Sequence, residues 1–188
     1  MCQYCGCRDI LTVGLLTEDH VEIQNYCGDT KRAVEAGDFA KAAQLARKLE
    51  AILRIHNAVE EQALYLSIGK HEEFAEQTGR LFDEHDELDD IIAEAISFDD
   101  AGRPQDMDWA KVLAAYDTLY EHIIAEENGL FPAAAINFDP ADWERCERMR
   151  EEAEAKAGIL QGHSPNAPHA FERPDDTGHA HEHPHPHE

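Results

Sequence analysis

Between residues 15 and 160, apolar side chains recur at spacings of three and four, with charged residues filling the positions between them. That is the period of helices with one buried face. Glycine and proline are sparse in this stretch and cluster outside it, so the punctuation outlines a helical body with irregular ends. Thr17, followed by Glu18 and Asp19, predicts the start of a first helix that runs to Gly37 with Leu16, Ile23 and Val34 inward. Asp38 predicts the cap of a second, which carries Leu45, Leu49 and Ile52 before Gly69 stops it. A third spans roughly 72 to 97 around Leu81, Leu88 and Ile92. A fourth spans roughly 107 to 128 around Trp109, Val112 and Leu119, with Gly129 and Pro132 as its stop. Short connections make neighbours antiparallel, so the predicted fold is all-α, an up-down-up-down four-helix bundle. Trp143, Cys146 and Met149 predict an additional C-terminal helix from Pro140 to about Ala157. The chain then divides into a Cys-rich segment over 1–11, the bundle over 12–135, the further helix over 136–160 and a disordered His-rich tail over 161–188.

Polar residues interrupt the apolar stripes. His20, His56, Glu60, His85, His122 and Glu126 all fall at inward positions, and "HNAVEEQALYL" at 56–66 is a near copy of "HIIAEENGLFP" at 122–132. An offset of four residues turns a side chain by only about 40° and lifts it about 6 Å, so each His-xxx-Glu pair aims an imidazole and a carboxylate at one centre. Alternating helix direction brings the four histidines toward the same end of the bundle. Each such group buried without a partner costs on the order of 1–3 kcal/mol, so something must compensate them. A purely structural His/Glu network is one answer; a two-metal site is the other. Mixed imidazole and carboxylate donors suit non-haem iron best, with manganese and zinc as alternatives. Asp89, one turn beyond His85, is the local candidate to complete a coordination sphere, whereas Glu61 is expected to be dispensable. Ile55, Leu88, Leu119 and Ile123 are expected to line an apolar pocket beside the centre.

Composition narrows the partners. Forty acidic against sixteen basic residues leave a net charge of -24, which disfavours nucleic acid and anionic lipid and draws cations in. No apolar run approaches the ~20 residues of a membrane span, so the expectation is a cytoplasmic protein with no membrane partner. Five cysteines, three of them at positions 2, 5 and 7, do not make a secreted disulfide framework. Cys2, Cys5 and Cys7 could bind one soft metal, though a fourth ligand is missing nearby, and redox-active or incidental thiols are the competing reading. The tail "HAHEHPHPHE" offers His179, His181, His183, His185 and His187 for loose metal capture, against the alternative of a solvated segment with no specific task.

The order His20, His56-Asn-Ala-Val-Glu60, Glu84-His85, His122-Ile-Ile-Ala-Glu126 resembles the hemerythrin-like family, also called the HHE cation-binding domain, over about residues 12 to 135. The resemblance implies a four-helix bundle around two non-haem iron ions, oxo- or hydroxo-bridged. His20 and His56 would hold one iron, His85 and His122 the other, and Glu60 and Glu126 would bridge them. Oxygen-carrying members have a fifth histidine where this chain has Leu81. Their last acidic ligand lies five residues after its histidine, which would select Glu127 instead of Glu126. With one donor fewer, the expected partner is a small diatomic gas or peroxide that is bound or sensed, in oxidative or nitrosative stress or iron homeostasis. The alternatives are a diiron peroxidase or catalase-like enzyme, a protein of iron-sulfur repair, and a metal store or metallochaperone.

Overall fold

The structure, a computed structural model, describes residues 6–158. Cys2, Cys5 and the His-rich tail lie outside the described residues, and so do the expectations that rest on them. Seven helical segments follow one another: α1 (Leu11–Glu35), α2 (Phe39–Val59), α3 (Tyr65–Ile68), α4 (Glu72–Asp100), α5 (Trp109–Ala125), α6 (Phe131–Asn137) and α7 (Pro140–Lys156). A π-helical turn over Glu60–Leu64 joins α2 to α3, and a second over Glu126–Leu130 joins α5 to α6. Helical dihedrals continue through both junctions, so each pair is one rod. Four rods pack in a ring, α1 against α2, α2 against α4, α4 against α5 and α5 against α1. The fifth, α7, lies on α2, its π turn and α1. This is the all-α bundle with an additional C-terminal helix that the periodicity predicts.

Three boundaries differ from the sequence reading, each for a physical reason. Helix α1 starts at Leu11, with no side-chain cap, instead of at Thr17. Starting early buries Val13 and Leu16 completely; two such side chains stabilise by about 1.5–3 kcal/mol each, more than the ~1 kcal/mol of a cap. The Thr17 hydroxyl instead donates to the Val13 carbonyl at 2.8 Å. Gly129 and Pro132 do not end the fourth rod, which continues to Asn137. The wide turn just before Pro132 opens room for its ring against the i−4 carbonyl and accommodates the missing N–H. Gly79 leaves α4 unbroken to Asp100, a little beyond the expected end. By contrast Asp38 caps α2 as predicted, accepting from the Lys41 N–H at 3.0 Å. Gly37 supplies the left-handed φ of 73° that the tight α1–α2 turn requires.

Two apolar clusters fill the bundle. One contains Ile23, Leu49, Leu53, Leu88, Val112 and Leu119; the other contains Leu16, Val59, Leu64, Leu81, Leu130 and Phe131. Cys7 is buried in the second cluster, and Cys27 packs half-buried against the first. On α1 the order Leu16, His20, Ile23 passes from the second cluster to the first, and on α4 Leu81, His85, Leu88 does the same. The histidines therefore lie at one level, as antiparallel packing requires, but between two apolar layers and not at an end. The early start of α1 and the extension through α6 supply the second layer. Leu49→Ala is expected to destabilise the fold by ~2–5 kcal/mol in chemical denaturation. Ile136→Ala, at a residue 83% exposed, should change it by less than about 0.5 kcal/mol.

Candidate metal centre

The layer between the clusters holds six titratable side chains. His20, His56, His85 and His122 are at most 2% exposed, and Glu60 and Glu126 are fully buried. Their Nε2 atoms point inward: His20 lies 3.2 Å from Glu126 Oε2, His56 3.2 Å and His85 3.6 Å from Glu60 Oε2, and His122 3.4 Å from Glu126 Oε1. The donors fall into two groups that could each hold an ion, His20–His56–Glu60–Glu126 and Glu60–His85–His122–Glu126, with donor atoms within 4.8 Å of one another in each. Both carboxylates belong to both groups. Glu126, not Glu127, is the acidic residue at the centre. Asp89 is exposed and belongs to neither group. Leu81, where a fifth histidine would stand, is buried in the second apolar cluster.

A ring of four more carboxylates surrounds the layer, and sequence reading did not find it. Asp19 on α1 reaches Nδ1 of His56 at 3.4 Å, and Glu61 in the first π turn reaches Nδ1 of His85 at 2.8 Å. Glu84 on α4 reaches Nδ1 of His122 at 2.8 Å, and Glu127 in the second π turn reaches Nδ1 of His20 at 3.0 Å. Each rod thus supports the histidine of the next, and the fourth closes on the first. Ionised carboxylates only accept hydrogen bonds, so each neutral imidazole carries its proton on Nδ1, donates it outward and presents the Nε2 lone pair inward. All four acids are sequence neighbours of core residues: Asp19 precedes His20, Glu61 follows Glu60, Glu84 precedes His85 and Glu127 follows Glu126. Glu61 is therefore engaged, contrary to its expected dispensability.

The π turns add one aromatic residue to each half. Along an α-helix, a residue five positions on points about 140° away; in the wider π turn it returns toward the same face. Tyr65 follows Glu60 by five, and its hydroxyl donates a short hydrogen bond to Glu126 Oε1, with Glu60 Oε2 at 3.2 Å and His122 Nε2 at 3.3 Å. Phe131 follows Glu126 by five and stacks on His20, ring centroids 5.6 Å apart and 4° from parallel. Of the expected pocket residues, Leu88 and Leu119 line a groove beside His85 and His122, and Ile123 lines another with Leu119. Ile55 lines neither groove.

Burial and charge give this layer unusual acid-base properties. Burial and the neighbouring Glu126 charge push Glu60 well above the usual carboxylate range. Burial also acts to raise Glu126, but His122 and His20 outweigh it and hold that carboxyl well below the range. Burial would lower His20, yet Glu126 and Glu127 raise it; His122 is raised against burial by Glu126 and Glu60. His20 Nε2, Glu60 Oε1 and Glu126 Oε2 still lack aligned hydrogen-bond partners. Close inward Nε2 and carboxylate atoms and unsatisfied lone pairs are what a pair of cations would complete. Glu61→Ala is expected to weaken metal retention ~10–100-fold, with Glu61→Gln less affected because it can still accept the His85 N–H. Titration against a chelator checks this; unchanged retention in Glu61→Ala would count against the ring's supporting role.

No helix among the described residues is long and apolar enough to cross a membrane. A search of curated proteins and a search of solved structures each returned no match. The hemerythrin HHE cation-binding domain, however, matches residues 11–134, a span containing all six inner donors and all four outer carboxylates. With that match and the buried His/Glu cluster together, the chain belongs to the hemerythrin HHE cation-binding domain family and is a metal-binding helical protein.

Proposed function

We propose that this protein is a non-haem diiron protein that binds or senses dioxygen, nitric oxide or peroxide, in oxidative or nitrosative stress or iron homeostasis. The observation that carries the reading is the sharing of Glu60 and Glu126 between two four-donor groups. His20 and His56 would serve one ion, His85 and His122 the other, with the two glutamates between them. Two imidazoles and two carboxylate oxygens per ion favour iron over softer or purely oxygen-liking metals. Iron held this way supplies one-electron redox chemistry and a place to bind a small oxidant. Leu81 provides no fifth imidazole, so a coordination position beside His85 and His122 would stay free for such a molecule.

The protein's own residues do the rest. The four outer carboxylates fix the imidazole tautomers and orientations. Leu88, Leu119 and Ile123 limit water beside the centre. Tyr65 holds a proton at its hydroxyl, within hydrogen-bonding reach of both bridging carboxylates. That proton favours a second reading, turnover of peroxide, because O–O cleavage consumes protons at the oxygens released.

Metal count and visible spectrum test the proposal in one preparation. The expected result is two irons per chain, an oxo-bridge absorption after exposure to air, and loss of both in Glu60→Ala. Steady oxygen release on adding peroxide would favour the enzyme; a reversible spectral change would favour the binder. Protons on His20 and His122 compete with metal, and both groups sit above 6.5. Binding displaces those protons, so metal affinity should rise as pH increases through 6.5 and beyond, and fall in acid. A full set of irons in Glu60→Ala, or affinity independent of pH, would contradict the reading.

A further inference from the structure

The two halves of the centre are built differently, and the difference points to one route of access. The His20–His56 half is closed on both outer sides. Phe131 stacks flat on His20. Beyond His56, the Asp19 carboxylate is clamped by Arg150 of α7 at 2.6 and 3.0 Å, and Arg150 is itself held by Glu154 at 2.9 Å. Asp19 and Arg150 are 12% and 15% exposed, so α7 covers this side with a nearly buried ion pair.

On the His85–His122 half Tyr65 stacks on His85, ring centroids 5.8 Å apart and 23° from parallel, as Phe131 does on His20, but Arg80, the arginine beside its outer acid Glu84, is half exposed. A groove of about 230 Å³ runs between α4 and α5, and both histidines line it together with Leu88, Ala115, Thr118 and Leu119. A second groove of about 340 Å³, between α1 and α5, is larger but stops at Ile23, Leu119 and Ile123 and includes no inner donor among its lining residues. Glu84 and Glu87 line the first groove together with the cationic Lys111, so its lining stays acidic on balance and repels anions in a chain already strongly acidic.

Building on the diiron reading, we infer that uncharged molecules of a few atoms reach the centre through the α4–α5 groove and meet it at the His85–His122 half, while α7 and its Arg150–Asp19 pair close the other half. Ala115 and Thr118 set the width of this route, because small side chains there leave the groove open. Tyr65, whose hydroxyl lies 3.3 Å from His122 Nε2, is on the same half and so meets the incoming molecule with its proton.

The test narrows each groove and measures access in two ways. Ala115→Phe narrows the α4–α5 route, and Thr118→Phe does so from an exposed position that folding tolerates. Gly28→Leu narrows the α1–α5 groove, where an added Cβ meets only the Arg32 guanidinium at 3.4 Å. With the iron-loaded full chain, nitric oxide association followed by stopped-flow absorbance should slow about tenfold in the first two variants and stay unchanged in Gly28→Leu. In crystals of the metal-free full chain, xenon under pressure should occupy the α4–α5 groove beside Leu88 and Leu119, and Thr118→Phe should remove it. Equal rates in all three variants, slowing in Gly28→Leu alone, or xenon in the α1–α5 groove with none in the α4–α5 groove would overturn the inference. Absence of any nitric oxide response in the parent protein would instead sink the diiron reading, and the xenon position would still decide the route.

Discussion

Six ionisable side chains and a phenol are buried in a layer between two apolar clusters, and the rest of the architecture is arranged around that cost. Neither a carboxylate nor an imidazole stays in such a layer without a compensating partner. Protein groups offset part of it. The imidazoles hand their Nδ1 protons to the outer ring, and Tyr65 donates to Glu126. What protein leaves undone is concentrated at the inward-facing atoms, where His20 Nε2, Glu60 Oε1 and Glu126 Oε2 lack aligned partners. The family to which the chain belongs is described as cation-binding, and both four-donor groups of this chain lie in that layer.

The closed order of the ring explains why four antiparallel rods suit this chemistry. Each rod carries an inner donor and, beside it in sequence, an acid that turns sideways to the next rod's histidine. Neighbours in a helix point ~100° apart, so an acid beside an inward donor lies on the flank of its rod, where the next rod's histidine is within side-chain reach. The π turns extend this logic by one residue type: with Glu60 inward and Glu61 sideways, the wide turn also returns Tyr65 to the layer. At the equivalent place in the other half, Phe131 returns instead. One near-repeat of sequence therefore yields two halves alike in donors and unlike in what lies beside them.

The inner donors were legible because the fold writes them as breaks in a period. His20, His56, Glu60, His85, His122 and Glu126 stand in stripes of apolar residues, and the repeated His-xxx-Glu pair fixes their mutual aim. The outer acids were not legible, because Asp19, Glu61, Glu84 and Glu127 look like ordinary solvated helix residues until the neighbouring rod is in place. Their adjacency to core donors was the available signal. The π turns left no local mark either, since Glu-Glu-Gln-Ala-Leu is a good α-helical string and the widening comes from tertiary packing. Nothing in the sequence separates Arg150 from the exposed Arg148 on the same helix; its reach to Asp19 does. The start of α1 was misplaced because a capping pattern at Thr17 competed with buried Val13 and Leu16, and burial was the larger effect.

Anomalous diffraction at the iron edge, on crystals of the full chain purified under iron-replete conditions, addresses the central claim most directly. The account predicts two peaks about 3.5–4 Å apart, both between Glu60 and Glu126, one beside His20 and His56 and the other beside His85 and His122. A single peak, or none with the four imidazoles and two glutamates hydrogen-bonded only to one another, would contradict it.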